Sequence, residues 1–247
     1  MTDKLDSHES PNGGSVDNGR RSFFFKLGAG ATALASTAAM AAPAGADDPA
    51  RKLALLEEER ALRTLHEAFE RALDNGAYDE VVDLFADDAQ VVFNNGVFAN
   101  RSGIGRLYRE RFRAGKTGKR IEPAPGFAPD AERQQERIEV SVDRLSAEAV
   151  FPYSIQVGAP IETESSLAGM ARLHGEGVRT WWEGGVYRVS YRKDADGRWK
   201  IGRLEYATLA RADYRPGRTY AEPIAVAPIS TTYPQDPQGA DALVPNA

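Results

Sequence analysis

Residues 73–98 read LDNGAYDEVVDLFADDAQVVFNNGVF, and this stretch decides the order of the first elements of the fold. Asn75-Gly76 predicts the end of a long helix, because glycine adopts the left-handed conformation without a Cβ clash. Apolar residues between positions 78 and 85 recur at helical spacing, with acidic residues between them. That pattern predicts a second, short amphipathic helix.

The same stretch then changes from helical to strand character. Asp87-Asp88 is expected to end the short helix. Residues 89–93 predict a strand, and Val97-Phe98 predicts the return strand. The segment Asn94-Asn95-Gly96 between them is typical of a tight hairpin turn, since Asn and Gly tolerate a positive φ.

A long amphipathic helix is predicted upstream, over residues 50–75. Its apolar stripe has the spacing of one helix face and consists of Leu55, Leu62, Leu65, Phe69 and Leu73. His66 borders this stripe. Two interpretations of His66 stay open: a partly buried side chain bonded to nearby backbone, or a side chain that lines a ligand pocket.

Further elements are predicted downstream. A third helix covers residues 101–112, with Ser102 as its cap. Gly184-Gly185 is expected to mark a β-bulge within a long strand. The strands are predicted at residues 136–144, 148–157, 179–193 and 198–211, and long loops at residues 114–132 and 158–177.

Composition argues against several classes of function. The chain has no Cys, which excludes disulfides and thiolate chemistry. The net charge is −5, so no nucleic-acid partner is expected. With 42% hydrophobic residues the chain can bury a sizeable core.

The first 46 residues are interpreted as an export signal and not as part of the fold. Residues 20–26, RRSFFFK, form a twin-arginine pattern and precede a mildly apolar run. Ala44-Gly45-Ala46 is a small-residue cleavage pattern, which predicts a mature chain from about Asp47. The alternative is a disordered tail followed by an Ala-rich helix. The signal predicts a periplasmic or secreted protein that contacts the membrane only transiently, during export.

Three motifs resemble the nuclear transport factor 2-like superfamily, which includes SnoaL-like and ketosteroid-isomerase-like enzymes. ALDNGAYDEVVDLFADDAQVV, at residues 72–92, is similar to the family's ALDAGDYDALVALFADDAVV. RSGIGRLYRERF, at 101–112, resembles its third helix, and DADGRWKIGRLEY, at 194–206, its last hairpin. The resemblance implies an α+β fold, in which a curved antiparallel sheet wraps around a long N-terminal helix and leaves a cone-shaped cavity. The expected organisation is a signal peptide at 1–46, a SnoaL-like domain at 47–214 and a proline-rich extended tail at 215–247, wrapping this domain or a neighbouring subunit.

The resemblance also implies a ligand site, because cavities of this fold hold hydrophobic small molecules with a few polar groups inside. The catalytic Tyr, general-base Asp and protonated Asp of the steroid isomerases fall on Phe69, Phe93 and near Val189, so their reaction is not implied. Aromatic residues are expected to form the substrate-binding wall, with ordinary core packing as the alternative for each. These residues are Phe69, Phe93, Phe98, Tyr108, Trp181 and Tyr191.

Glu183 is the predicted catalytic carboxylate. Its neighbours are Trp181-Trp182 and Gly184-Gly185. An apolar setting disfavours a charged carboxylate and suits acid–base chemistry. Tyr153, Tyr187 and His66 are predicted as its catalytic partners in proton transfer. The alternative is a salt bridge from Glu183 to an Arg on a neighbouring strand.

No cofactor is expected. The two His residues of the predicted mature chain lie far apart in sequence, without the spacing of a metal site. We therefore expect a cofactor-independent lyase or dehydratase that acts on an aromatic small molecule. The chain also resembles the sphingomonad diarylpropane lyases, which release formaldehyde from lignin-derived compounds without a cofactor.

Two alternatives stay open: a non-catalytic periplasmic protein that binds hydrophobic small molecules, and a structural oligomerisation domain. A homodimer or homotrimer is expected in each case, because sheets of this fold often pair back to back.

Overall fold

The first helix is the longest element and packs against the concave face of the sheet. A computed structural model describes residues 48–121, 136–161, 170, 177–213 and 222–245. Helix α1, Pro49–Asp74, begins after Asp48, whose carboxylate accepts a hydrogen bond from the amide of Ala50 at 3.0 Å. The helix ends at Asp74 with Asn75 as its C-cap, and Gly76 follows with φ of 65°. This is the helix end predicted from the sequence.

The other helices are short. They are α2 Tyr78–Asp83, α3 Asn100–Gly105, a π-helical segment Arg106–Phe112, and α4 Arg113–Gly115. Asn100 caps α3, because its side-chain oxygen accepts hydrogen bonds from the amides of Ser102 and Gly103. The prediction of Ser102 as the cap is therefore wrong by two positions.

Eight strands form one curved, unclosed sheet in the order β3-β5-β6-β7-β1-β2-β8, and β4 pairs with β5 on the edge that β3 also uses. Their bounds are β1 Phe85–Phe93, β2 Gly96–Ala99, β3 Lys119–Arg120, β4 Arg137–Val140, β5 Ser146–Pro160, β6 Val178–Lys193, β7 Trp199–Asp213 and β8 Ala242–Leu243. The expected α+β architecture, a curved sheet around a long N-terminal helix, is confirmed. The sheet is mixed and not purely antiparallel, because β1 pairs with β7 in parallel. The chain enters β1 from α2 and not through a hairpin with β7, so antiparallel pairing is not imposed.

Strand β1 begins earlier than the sequence predicts. It starts at Phe85 and includes Asp87 and Asp88, both of which are exposed. Their side chains point to solvent from a strand, where Asp88 pairs with Arg192 of β6. The expectation that this acidic pair ends the short helix is therefore wrong, because both residues belong to β1. The following turn is as predicted, with positive φ at both Asn94 and Asn95.

The bulge expected at Gly184-Gly185 lies on the neighbouring strand. Gly184 is opposite Ala210 and Gly185 is opposite Thr208, so Leu209 of β7 is the extra residue. A Cβ on Gly185 would lie 2.4 Å from the carbonyl oxygen of Ala207. Glycine at position 185 thus allows the close approach of β7.

The core lies between α1 and the concave face of the sheet. Helix α1 buries Leu62, His66, Phe69, Ala72 and Leu73. Strand β5 buries alternate residues from Ala147 to Val157, as expected for a strand with one face on the core. Among the residues that the structure describes, no helix is long and apolar enough to span a membrane.

The C-terminal segment, residues 222–245, packs on the sheet of its own chain. The amide of Ile229 donates to the carbonyl of Asn94 at 2.9 Å, and β8 pairs with β2. Asp241 accepts a hydrogen bond from the amide of Ala99 at 2.7 Å and pairs with Arg106. This part of the chain therefore covers the edge of β2.

The predicted signal peptide at residues 1–46 lies outside the described residues. So do residues 122–135, most of the predicted loop 158–177, and residues 214–221.

Candidate functional site

A cavity of about 750 Å³ opens between α1, β3 and the concave face of β5 and β6. Its volume lies within the range that is typical of small-molecule sites. The apolar and aromatic residues of its lining are Leu73, Ile121, Phe151, Tyr153, Ile155, Trp182 and Tyr187. The lining also includes the charged residues Arg63, Glu67, Glu70, Asp74, Arg120 and Glu136, together with His66.

Tyr153 lines this cavity, and its hydroxyl belongs to a buried polar cluster with Glu183 and Thr208. The hydroxyl donates to Oε1 of Glu183 at 2.9 Å and lies 3.2 Å from Oγ1 of Thr208. Burial, reinforced by the charge of Glu183, raises the pKa of Tyr153 well above its ordinary value. The Tyr153 hydroxyl is therefore protonated at neutral pH.

Glu183 lies behind Tyr153 and is 1% exposed. Its Oε1 also accepts from Oγ1 of Thr208 at 3.0 Å, and its Oε2 accepts from Nε of Arg211 at 2.7 Å. Arg211 in turn donates to Oδ1 of Asn94 at 3.0 Å. Glu183 therefore forms the salt bridge with an Arg of the neighbouring strand that the alternative expected. It also bonds to Tyr153, one of its predicted partners, and its catalytic role stays a prediction. Glu183 is not among the described residues that line the cavity, whereas Tyr153 is. Glu183 therefore contacts the cavity lining through its hydrogen bond with Tyr153.

His66 is buried at 3% exposure and lines the cavity. Its ring stacks on Phe151 with centroids 3.7 Å apart, and Nδ1 lies 3.4 Å from the hydroxyl of Tyr191. Burial, with a smaller contribution from the charge of Arg120, lowers the pKa of His66 to about 3. The imidazole is therefore neutral at neutral pH. Of its two predicted environments, the structure shows the pocket-lining one.

Tyr187 connects His66 with Tyr153. Its ring stacks on that of Tyr153 at 4.5 Å and meets the ring of His66 edge-on at 5.4 Å. Burial raises the pKa of Tyr187 well above its ordinary value. The four residues predicted to be catalytic thus form one contiguous group, His66, Tyr187, Tyr153 and Glu183, and their catalytic roles stay predictions.

The six residues predicted to bind substrate lie elsewhere. Phe69, Phe93, Phe98, Tyr108, Trp181 and Tyr191 are buried in the main hydrophobic core, and none of them is among the described residues that line the cavity. Tyr108 donates to or accepts from the hydroxyl of Tyr206 at 3.1 Å, deep in this core. The structure therefore places these six in the core, as the alternative of core packing expected. Tyr191 does not line the cavity, but its hydroxyl contacts His66, which does.

Sequence reasoning did not select Glu70 or Arg120, which the structure places beside His66. Glu70 Oε1 lies 3.8 Å from Nε2 of His66, and its other oxygen pairs with Arg120. Burial raises the pKa of Glu70, and Arg120 opposes this shift. Glu70 follows His66 by one helical turn, so the spacing on α1 was a usable signal. Arg120 lies 50 positions after Glu70, so no local pattern in the sequence could indicate this contact.

Within the described part of the chain, no group of three or more His, Asp or Glu side chains is arranged to hold a metal ion.

Similarity to known proteins is clear at the level of the domain family. Residues 54–205 match the SnoaL-like domain family. No curated protein matches the sequence. Among solved structures, a scytalone dehydratase candidate from Novosphingobium aromaticivorans is 19% identical with a TM-score of 0.43, covering 71% of this chain and 99% of that one.

Two further solved structures are similar at the same level. An NTF2-like protein with a cystatin-like fold from N. aromaticivorans is 19% identical with a TM-score of 0.40, covering 67% of this chain and 92% of that one. The hexachlorocyclohexane dehydrochlorinase LinA-type3 from Novosphingobium barchaimii is 14% identical with a TM-score of 0.45, covering 70% and 99%. These values carry no statement about activity. The family match, which spans more than half of the sequence, shows that this chain belongs to the SnoaL-like domain family.

Proposed function

We propose that the protein is a cofactor-independent lyase or dehydratase that acts by acid–base chemistry on a hydrophobic aromatic small molecule. One observation carries this proposal: a tyrosine that lines a cavity with several aromatic residues donates its hydroxyl to a buried carboxylate. The hydroxyl of Tyr153 and Oε1 of Glu183 are 2.9 Å apart, within the distance that proton transfer needs.

In the proposed mechanism, Tyr153 relays a proton between the ligand and Glu183. The phenolic oxygen takes a proton from the substrate while its own proton passes to Oε1 of Glu183. The electron pair released on the substrate forms the new double bond and expels the leaving group. The reverse transfer returns the proton from Glu183 through Tyr153 to the leaving oxygen. Protons and electrons balance, and no external oxidant or metal is needed.

Arg211 and Thr208 hold the carboxylate in place for this relay. A buried carboxylate without a counter-charge would cost several kcal/mol. Arg211 supplies the charge at 2.7 Å, and Thr208 fixes Oε1 at 3.0 Å. Tyr187 stacks on Tyr153 and restricts the rotation of its ring.

The finer proposal for the substrate is a lignin-derived diaryl compound that loses formaldehyde. The cavity of about 750 Å³ has room for two aryl rings, and its wall offers aromatic faces at Phe151, Trp182 and Tyr187. The earlier resemblance to diarylpropane lyases supports the same class of ligand.

A non-catalytic protein that binds hydrophobic small molecules is the second candidate. It is favoured by the complete hydrogen bonding of Glu183, whose two oxygens have Tyr153, Thr208 and Arg211 as partners. A buried ion pair with that many partners can be purely structural.

The experiment that separates the two candidates uses the purified protein. Aromatic compounds are screened by thermal shift, and mass spectrometry then identifies products. Glu183→Gln keeps the shape of the side chain and removes its titration, so turnover should fall by about 10²-fold or more while ligand affinity changes little. Tyr153→Phe should give a loss of similar size.

Glu205→Gln is the matched control. Glu205 pairs with Arg188 across the same two strands, at 2.8 Å, but at the solvent side. It should keep full turnover. Full activity of Glu183→Gln would make Glu183 structural and would favour the binding protein, as would ligand binding without any product. Activity should survive EDTA and dialysis, whereas loss on chelation with recovery on adding one metal would overturn the cofactor-free mechanism.

We also propose that the protein is exported through the twin-arginine route and assembles as a homodimer or homotrimer. The N-terminal sequence of the exported protein should begin near Asp47, and the double variant Arg20→Lys, Arg21→Lys should stay in the cytoplasm. Normal export of that variant would refute the route. Light scattering tests the assembly, and a monomer at micromolar concentration would refute it.

A further inference from the structure

His66 has one ring nitrogen with a defined neighbour and one without a hydrogen bond. Nδ1 lies 3.4 Å from the hydroxyl of Tyr191, whereas Nε2 is buried and has no hydrogen-bond partner among the described residues. A buried polar atom without a partner costs free energy, and such atoms in native proteins call for an explanation. Here the atom belongs to a side chain that lines the ligand cavity.

The neighbours of the ring determine which nitrogen carries the proton. Burial raises the pKa of Tyr191, so its hydroxyl keeps its proton and can either donate to Nδ1 or accept from it. On the other side, Oε1 of Glu70 lies 3.8 Å from Nε2, and Arg120 pairs with the other oxygen of that carboxylate. A bare Nε2 would turn its lone pair toward carboxylate oxygen, which is repulsive. The Tyr191 hydroxyl suits either tautomer, so the Glu70 carboxylate decides in favour of hydrogen on Nε2.

We infer that His66 is a neutral hydrogen-bond donor, with its proton held on Nε2 by Glu70, and that it binds an oxygen acceptor of the ligand in this cavity. Glu70 acts through His66 and is a positioning residue, and Tyr191 donates to the bare Nδ1. Nε2 is covered in the free protein, and the Glu70 carboxylate at 3.8 Å is too far away for a hydrogen bond. The ligand oxygen therefore takes the place of that carboxylate beside Nε2.

The ligand that fits this donor is an aromatic molecule that carries a carbonyl, ether or hydroxyl oxygen. Its catalytic meaning rests on the proposed function. A neutral imidazole can stabilise negative charge that develops on oxygen without giving up its proton. His66 would then serve the oxygen that gains charge, while Tyr153 and Glu183 exchange the proton. The role of His66 as a base, which the sequence suggested, would pass to that pair.

Nuclear magnetic resonance tests the tautomer without any ligand or activity. The chain has three His residues, His8, His66 and His174, so the His66 signals are assigned by their loss in His66→Gln. Long-range proton–nitrogen correlation spectra at neutral pH should show a protonated Nε2 and a bare Nδ1. A protonated Nδ1 with bare Nε2, or an imidazolium, would overturn the inference. Glu70→Leu removes the carboxylate near Nε2 and should shift the population toward the Nδ1 tautomer, and an unchanged spectrum would remove Glu70 as a positioning residue.

A matched pair of probes tests the oxygen site. Benzophenone carries one carbonyl acceptor between two rings, and diphenylmethane has nearly the same shape without it. The preference of the wild-type protein for benzophenone should exceed that of His66→Leu by about two- to tenfold, the range of one neutral hydrogen bond. An equal preference in both proteins would refute the oxygen site.

The two tests separate this inference from the proposed function. If the Nε2 tautomer and the probe preference are found but no compound is turned over, the inference holds and the lyase proposal fails. If turnover is found with an Nδ1 tautomer, the lyase proposal holds and the donor role of His66 fails.

Discussion

Acidification should destabilise the folded protein through His66, and His66→Phe should remove much of this effect. The structural basis is the burial of the imidazole between Phe151, Tyr187 and the Tyr191 hydroxyl. A protonated ring would place a positive charge there with little water and with Arg120 near by. Phenylalanine at this position keeps the stacking on Phe151 and does not titrate.

The sign follows from proton binding in the two states. The pKa of His66 is 6.5 at its ordinary value and about 3 in the folded protein. Between these values the unfolded chain binds more protons, so the free energy of unfolding falls as the pH falls through this window. Above about pH 6.5 the ring is neutral in both states and the effect vanishes. Each pH unit below that point costs up to ~1.4 kcal/mol, which gives ~2 kcal/mol at about pH 5.

Urea unfolding at several pH values between about 7 and 5 measures this loss. Wild type should lose ~2 kcal/mol more than His66→Phe over that interval. Glu70 acts in the opposite direction at lower pH, because burial raises the pKa of its carboxyl. Glu70→Gln is therefore measured as a control, and it should keep the His66 effect. Parallel curves for wild type and His66→Phe would show that the ring is not buried in its neutral form.

Three further changes test the packing around the site and the sheet. Arg211→Met should lower the free energy of unfolding, measured by chemical denaturation, by ~3–5 kcal/mol, because it leaves the carboxylate of Glu183 buried without its counter-charge. Adding Glu183→Leu should restore most of this loss, and a further, additive loss in the double variant would contradict the reasoning. Gly185→Ala should lower the free energy of unfolding by ~1–3 kcal/mol, since the new Cβ would lie 2.4 Å from the carbonyl oxygen of Ala207. Urea unfolding measures this loss, and an unchanged midpoint would show that β7 can move away. Asp241→Ala should speed hydrogen exchange in residues 222–245 while β5 and β6 stay protected, and uniform exchange throughout would show that this contact does not hold the segment.

Local sequence patterns predicted the elements whose causes are local. The stripe on α1 and the turn at Asn94-Asn95 came from periodicity and from residues that tolerate positive φ. The start of β1 was missed, because Asp87-Asp88 is a common breaker in isolation. In the folded chain these side chains lie on the solvent side of a strand, with Arg192 of another strand as a partner.

The site was predictable in residue identity and less so in geometry. The apolar neighbours of Glu183 indicated a buried carboxylate, and Tyr153 was one of its three predicted partners. Arg211 could not be chosen, because the bulge at Leu209 sets which residue of β7 lies opposite Glu183. The aromatic residues of the core and those of the cavity wall share composition and spacing, so sequence could not separate Phe69 from Phe151.

Strand β8 has a consequence for the order in which the sheet becomes complete during synthesis. Strand β8 covers the β2 edge, yet it is synthesised after every other strand of the sheet. Asp241, which directly precedes β8, follows its partner Ala99 at the end of β2 by 142 positions. While the ribosome translates the intervening residues, β2 has unpaired backbone groups along one side, and such edges associate with other chains. Nascent chains that are released before residue 242 would keep this open edge, so premature termination should yield aggregates and not a slightly shortened domain.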